Sequence, residues 1–161
     1  MGTNVATPPA HMDRRAFCVH ACQVASLGTL ASALTACGGN GATSPSDVPQ
    51  LATVSGQASG NSVLVTVDAT SPLAATGGAA LVQSSRGSFL VIRAATDTFN
   101  AMTSVCTHEQ CTITGFSNQT FQCPCHGSKF NATGGVVNGP ASNPLTRFAT
   151  SFSNSVLTIT T

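Results

Sequence analysis

Between Cys106 and His126 the chain gathers four of its seven cysteines and two of its four histidines. The first group reads Cys106-Thr107-His108-Glu109-Gln110-Cys111 and the second Cys123-Pro124-Cys125-His126-Gly127-Ser128. Cysteines packed this closely, with histidines among them, point to a metal before they point to a scattered disulfide framework. Two ligand pairs emerge, Cys106 with His108 and Cys123 with His126. Each pair sits on a tight loop, so its side chains can converge on one centre without a helix. Pro124 shapes the second loop by fixing φ, and Gly127 by allowing unusual φ.

Two thiolates and two imidazoles suit iron. Thiolates stabilise ferric iron and favour sulfide-bridged clusters, while neutral imidazole is the weaker electron donor. An iron held by two histidines makes the cluster core less negative, so an electron is added more easily. The rival reading is a tetrahedral zinc site built from the same four residues. Cys111 and Cys125 have no role in a closed four-ligand zinc site, which weighs against it.

The two groups resemble the boxes of the Rieske iron–sulfur family, Cys-Thr-His-x-Gly-Cys and Cys-Pro-Cys-His-Gly-Ser, and the second matches throughout. The resemblance implies a 2Fe–2S cluster, with Cys106 and Cys123 on one iron and His108 and His126 on the other. It also implies a Cys111–Cys125 disulfide that clamps the two loops, and a Ser128 hydroxyl that donates to a cluster sulfur and raises the potential. Asn138-Gly139-Pro140-Ala141 is similar to the family's proline loop, which covers the cluster's third side. Potentials in the family run from about −150 to +300 mV.

Three positions depart from the family pattern. Gln110 stands where Gly is usual, so the first loop must tolerate a side chain. Glu109 replaces the apolar residue common in quinol-oxidising members, which adds negative charge and disfavours a dry quinol-docking surface. Phe130 replaces the Tyr of high-potential members and lacks its hydroxyl. An intermediate potential, below the quinol-oxidising type, is expected.

The remaining chain reads as all-β. Thr, Ser, Gly and Val are abundant, and apolar residues alternate or run in short stretches: Ser62 to Val67, Ala80 to Gln83, Phe89 to Ala94, Phe99 to Thr103 and Ser155 to Thr160. Turn formers such as Gly77-Gly78 and Arg86-Gly87-Ser88 separate them. The expected architecture is a Rieske-type antiparallel β-sandwich over residues 51–161, carrying a cluster-binding subdomain of two loops. Arg86, Arg93 and Arg147 read as solvated strand-edge charges, Thr107 as structural, and the phenylalanines as packing.

Residues 1–36 read as a helical export signal. Asp13-Arg14-Arg15-Ala16-Phe17 precedes an apolar, small-residue run and resembles the twin-arginine signal, which exports folded proteins. Leu34-Thr35-Ala36-Cys37 resembles a lipobox with lipid attached at Cys37, and ordinary cleavage without lipid and an uncleaved membrane helix are the alternatives. Residues 37–50 are rich in Gly, Ser, Thr and Pro and read as a flexible linker. The expected location is therefore the extracytoplasmic, periplasmic side of a membrane.

Six Lys and Arg against five Asp and Glu leave no basic stripe for nucleic acid, and Trp and Tyr are absent. A complete oxygenase needs a second iron held by further histidines, and once the signal is removed only His108 and His126 remain. The functional expectation is one-electron transfer, by a free carrier or by a subunit of an oxidoreductase. Candidate partners are a cytochrome, a quinol–cytochrome oxidoreductase or a periplasmic molybdenum oxidoreductase.

Overall fold

The computed structural model describes residues 47–161. The export signal, Cys37 and the linker as far as residue 46 lie outside the described residues. Twelve strands follow one another: β1 (Ala52–Ser55), β2 (Gln57–Ser59), β3 (Ser62–Thr66), β4 (Ala79–Ser84), β5 (Gly87–Ala95), β6 (Thr98–Thr103), β7 (Gly115–Ser117), β8 (Thr120–Gln122), β9 (Lys129–Asn131), β10 (Val136–Asn138), β11 (Arg147–Ser153) and β12 (Val156–Thr160). The first sheet has eight strands in the order β1-β4-β5-β6-β11-β12-β3-β2, and the second has four in the order β10-β9-β8-β7. The all-β expectation holds for these residues. One pairing, β1 with β4, is parallel.

Strands β1 and β2 lie at opposite ends of the large sheet, yet only Gly56 separates them in the chain. The sheet must therefore curl until its two edges meet, and Gly56 sits at the seam. A Cβ there would lie 2.4 Å from Val63 Cγ1 and 3.0 Å from Val82 Cγ1. No side chain fits between these two strands.

Curling encloses one core and leaves a second outside it. Val63 and Val65 of β3 and Leu157 and Ile159 of β12 pack against Val82, Phe89, Val91, Phe99 and Ala101 inside. The opposite faces of β4, β5 and β6 carry Leu81, Leu90, Ile92 and Met102, which pack with Ile113, Phe121 and Phe130 of the smaller lobe. Cross-strand register keeps the two faces apart: Leu81, Leu90 and Met102 form one row, and Ala80, Val91 and Ala101 the next. Burial on both sides explains why Phe89-Leu90-Val91-Ile92 is an unbroken apolar run rather than an alternation. Each fully buried Leu, Ile or Phe side chain contributes about 1.5–3 kcal/mol of transfer free energy.

Tight hairpins set the remaining strands. Asn118-Gln119 joins β7 to β8 and Asn154-Ser155 joins β11 to β12, all four residues at φ between 50° and 61°. Two-residue loops with positive φ match the twist of the flanking strands. Strand β11 has no buried residue and packs through Phe148 on Phe89 and Phe152 on Phe99, ring centroids 5.0 Å apart in both cases.

Arg93 corrects its sequence reading. Its guanidinium lies over the rings of Phe99 and Phe152 and donates to the carbonyls of Leu73, Ala74 and Thr96. A planar cation with five donors can satisfy loop carbonyls while stacking on aromatic faces, so Arg93 ties the 73–78 loop to the sheet. Arg86 and Arg147 are exposed, as expected.

Pro49 to Leu51 run along β7. The Phe116 N–H donates to the Pro49 carbonyl at 2.9 Å, and the Leu51 N–H to the Thr114 carbonyl at 2.7 Å. Among the described residues, no helix is long and apolar enough to cross a membrane.

Candidate metal centre

The two cysteine–histidine loops are built alike. In the first, the Cys106 N–H donates to the Cys111 carbonyl at 2.8 Å and the Gln110 N–H to the Cys106 carbonyl at 2.9 Å. In the second, the Cys123 N–H donates to the Ser128 carbonyl at 2.9 Å and the Gly127 N–H to the Cys123 carbonyl at 3.1 Å. Each loop thus closes on the cysteine that opens it. The fifth residue of each has a left-handed backbone, φ 57° at Gln110 and 75° at Gly127. That shared geometry is why glycine suits the position, and Gln110 adopts it with a side chain pointing to solvent.

Strands β8 and β9 hold the second loop against the second core, and the Val105–Thr112 bridge closes the base of the first. Cys111 and Cys125 are joined in a disulfide, with Cα atoms 6.5 Å apart, which links the loops. Cys106 and Cys123 are free thiols, 1% and 2% exposed. Burial pushes the Cys123 thiol up, and the adjacent Cys106 thiol adds to this. Backbone N–H groups of Cys125 and His126 aimed at the sulfur oppose the rise.

The imidazoles lie at the opposite end of the site. The His108 and His126 rings are 5.1 Å apart at 84°, and the His126 side chain is 49% exposed. Glu109 joins them: one carboxylate oxygen is 3.6 Å from His126 Nδ1. One potential ligand atom from each of His108, Glu109 and His126 falls within a common 4.8 Å. The Cys123 sulfur comes equally close to the disulfide sulfurs, but sulfurs already bonded to one another are poor ligands.

A third segment completes the site. Ser128, fully buried, accepts the Ala141 N–H at its Oγ, 3.0 Å away. Thr107 Oγ1 donates to the Asn143 carbonyl at 2.7 Å. Each loop therefore holds one point of the segment that contains Gly139 and Pro140. The sequence reading names Ser128 as a site residue and Thr107 as a structural one, and both hold this segment. Nothing in the sequence marks Asn143, whose contribution is a backbone carbonyl.

These groups fit a diiron cluster. Two neighbouring buried thiols are free of any disulfide, and backbone N–H groups already point at one of the sulfurs. Two imidazoles converge at the exposed end. The sequence model of the Rieske [2Fe-2S] domain matches residues 46–149, well over half of the chain. The chain belongs to the Rieske family.

The relatives of this Rieske chain agree. A cytochrome b6-f complex iron-sulfur subunit of Microcystis aeruginosa is 41% identical over 86 residues, covering 51% of this chain and 47% of that protein. A second such subunit, from Trichormus variabilis, is 54% identical over 41 residues, 25% of this chain and 23% of that one. The chain thus spans less than half the length of these relatives. Among solved structures, the cyanobacterial plasma membrane Rieske protein PetC3 from Synechocystis PCC 6803 superposes with a TM-score of 0.51 at 31% identity, covering 60% of this chain and 99% of that one. The domain is an electron-transfer domain, and its cofactor is a 2Fe–2S cluster, which takes up and returns one electron at a time.

Proposed function

We propose that the chain carries single electrons on the extracytoplasmic side of a membrane. Cys106 and Cys123 bind one iron of its cluster, and His108 and His126 bind the other. The polarity of the site carries this reading: both thiols are buried, while both imidazoles are exposed. Buried thiolates hold the cofactor away from water and oxidants. Exposed imidazoles offer a short path for an electron to a docked protein. Ser128 orients the proline segment and has a hydroxyl proton left to donate toward a cluster sulfur.

The twin-arginine-like segment and Cys37 support export followed by anchoring, by lipid or by the uncleaved segment. The names of the relatives point the same way, since one is a plasma membrane Rieske protein. A disulfide beside the cluster suits an oxidising compartment.

Relatives named as cytochrome b6-f subunits favour a second reading, in which the chain is the Rieske subunit of a quinol–cytochrome oxidoreductase. Glu109 at the exposed tip and Phe130, fully buried and without a hydroxyl, favour the first. An anaerobic redox titration of the holoprotein tests the proposal. A single reversible one-electron step, at a potential below the quinol-oxidising members, is expected. A protein that no reductant bleaches would overturn it, and one that copurifies in detergent with a quinol-binding membrane chain would select the second reading.

A further inference from the structure

The exposed tip is formed by three segments: 104–112, 123–128 and 138–146. Within them Glu109 is the only residue with a full charge. His108, Gln110, Cys125, His126, Gly139 and Pro140 are exposed, and Val105 is 44% exposed beside them. The Glu109 side chain is 61% exposed, and its carboxylate sits against His126 at 3.6 Å.

The remaining charge lies elsewhere. Asp47, Asp68, Asp97 and Glu109 balance Arg86, Arg93, Lys129 and Arg147 among the described residues. Lys129 follows the second tip segment and pairs with Asn138 of the third, and it lines a groove of about 520 Å³ with Asp47, Val48 and Val137, which His108, Glu109 and His126 do not line. Arg93 is engaged by loop carbonyls and rings. Arg147 bonds Asn100 on the large sheet. The described acidic and basic side chains cancel, so Glu109 is the one charged side chain that the tip adds, beside the cluster's own charge, to the short-range field that an approaching partner meets.

We infer that the tip docks redox partners through a cationic patch, with Glu109 as the charge that selects them. The inference rests on the electron-transfer reading above. A lysine- or arginine-bearing face is drawn to the tip, while an acidic face is repelled within a Debye length, which is about 30 Å at 0.01 M salt and about 8 Å at 0.15 M. Selection then acts mainly on the rate of encounter.

The test compares reduced holoprotein with its Glu109→Gln and Glu109→Lys variants by stopped flow. Two oxidants of opposite sign serve as probes, a lysine-rich c-type cytochrome and ferricyanide. At about 0.01 M salt, Glu109→Gln should slow cytochrome reduction several-fold and speed ferricyanide reduction. Glu109→Lys should exaggerate both changes, and about 0.15 M salt should shrink them. A change in cluster potential alone would move both rates in the same direction. Parallel shifts, or none, overturn the inference while leaving the electron-transfer reading intact. A holoprotein unable to reduce either oxidant overturns both.

Discussion

At the scale of single residues, Ser128 has the most to do in the least space. It has no exposed surface, accepts the Ala141 N–H at 3.0 Å and closes the second loop through its carbonyl. Ser128→Ala removes an acceptor from a buried N–H, which costs about 1–3 kcal/mol of stability. In the proposed role it also removes a donor from the cluster side. One hydrogen bond of about 1.4 kcal/mol corresponds to about 59 mV for a one-electron couple. The variant should assemble its cluster, melt earlier and show a potential lower by several tens of millivolts. Equal potentials in variant and parent would show that the hydroxyl does not reach the cluster. At this scale the sequence was informative wherever chemistry dictates residue type. The cysteine and histidine boxes were legible, and so was the Cys111–Cys125 pairing through the family resemblance. Gln110 was legible as a departure, but its left-handed backbone was not, because the usual glycine signal is missing.

Strands divide according to how much apolar surface they bury. β3, β4, β5, β6 and β12 carry fully buried residues, and their apolar runs are plain in the sequence. β1, β2 and β11 bury none, so no hydrophobic pattern announces them. They exist because the curled sheet supplies backbone partners: β4 for β1, β3 for β2, and β6 with β12 for β11. Arg93 misleads for a related reason. A charge on a strand reads as solvent-facing unless the loop that collects it is known, and Leu73 and Ala74 lie about twenty residues away. The seam at Gly56 makes the curling testable. Gly56→Ala forces a methyl against Val63 and Val82, an overpacking that costs about 1–3 kcal/mol. Its denaturant midpoint should fall while the cluster spectrum stays unchanged, since both valines belong to the core away from the cluster. A midpoint equal to the parent's would mean that the seam opens freely.

Across the whole molecule, two cores share the sheet formed by β4, β5 and β6, one enclosed by the large sheet and one beneath the metal loops. This arrangement presses the cluster lobe onto a rigid platform and leaves the imidazoles as its outermost chemistry. The division between buried thiolates and exposed imidazoles was not visible in ligand spacing, because it depends on how both loops are pinned to the second core, cysteine inward and histidine outward. The centre itself is best tested by pulsed electron paramagnetic resonance on the dithionite-reduced holoprotein, grown with nitrogen-15 histidine. Two distinct nitrogen couplings are expected, one from each imidazole on the histidine-bound iron, and both should vanish in a His108→Cys/His126→Cys double variant. A reduced cluster without nitrogen coupling, or a protein that contains zinc and no acid-labile sulfide, would contradict the ligand set.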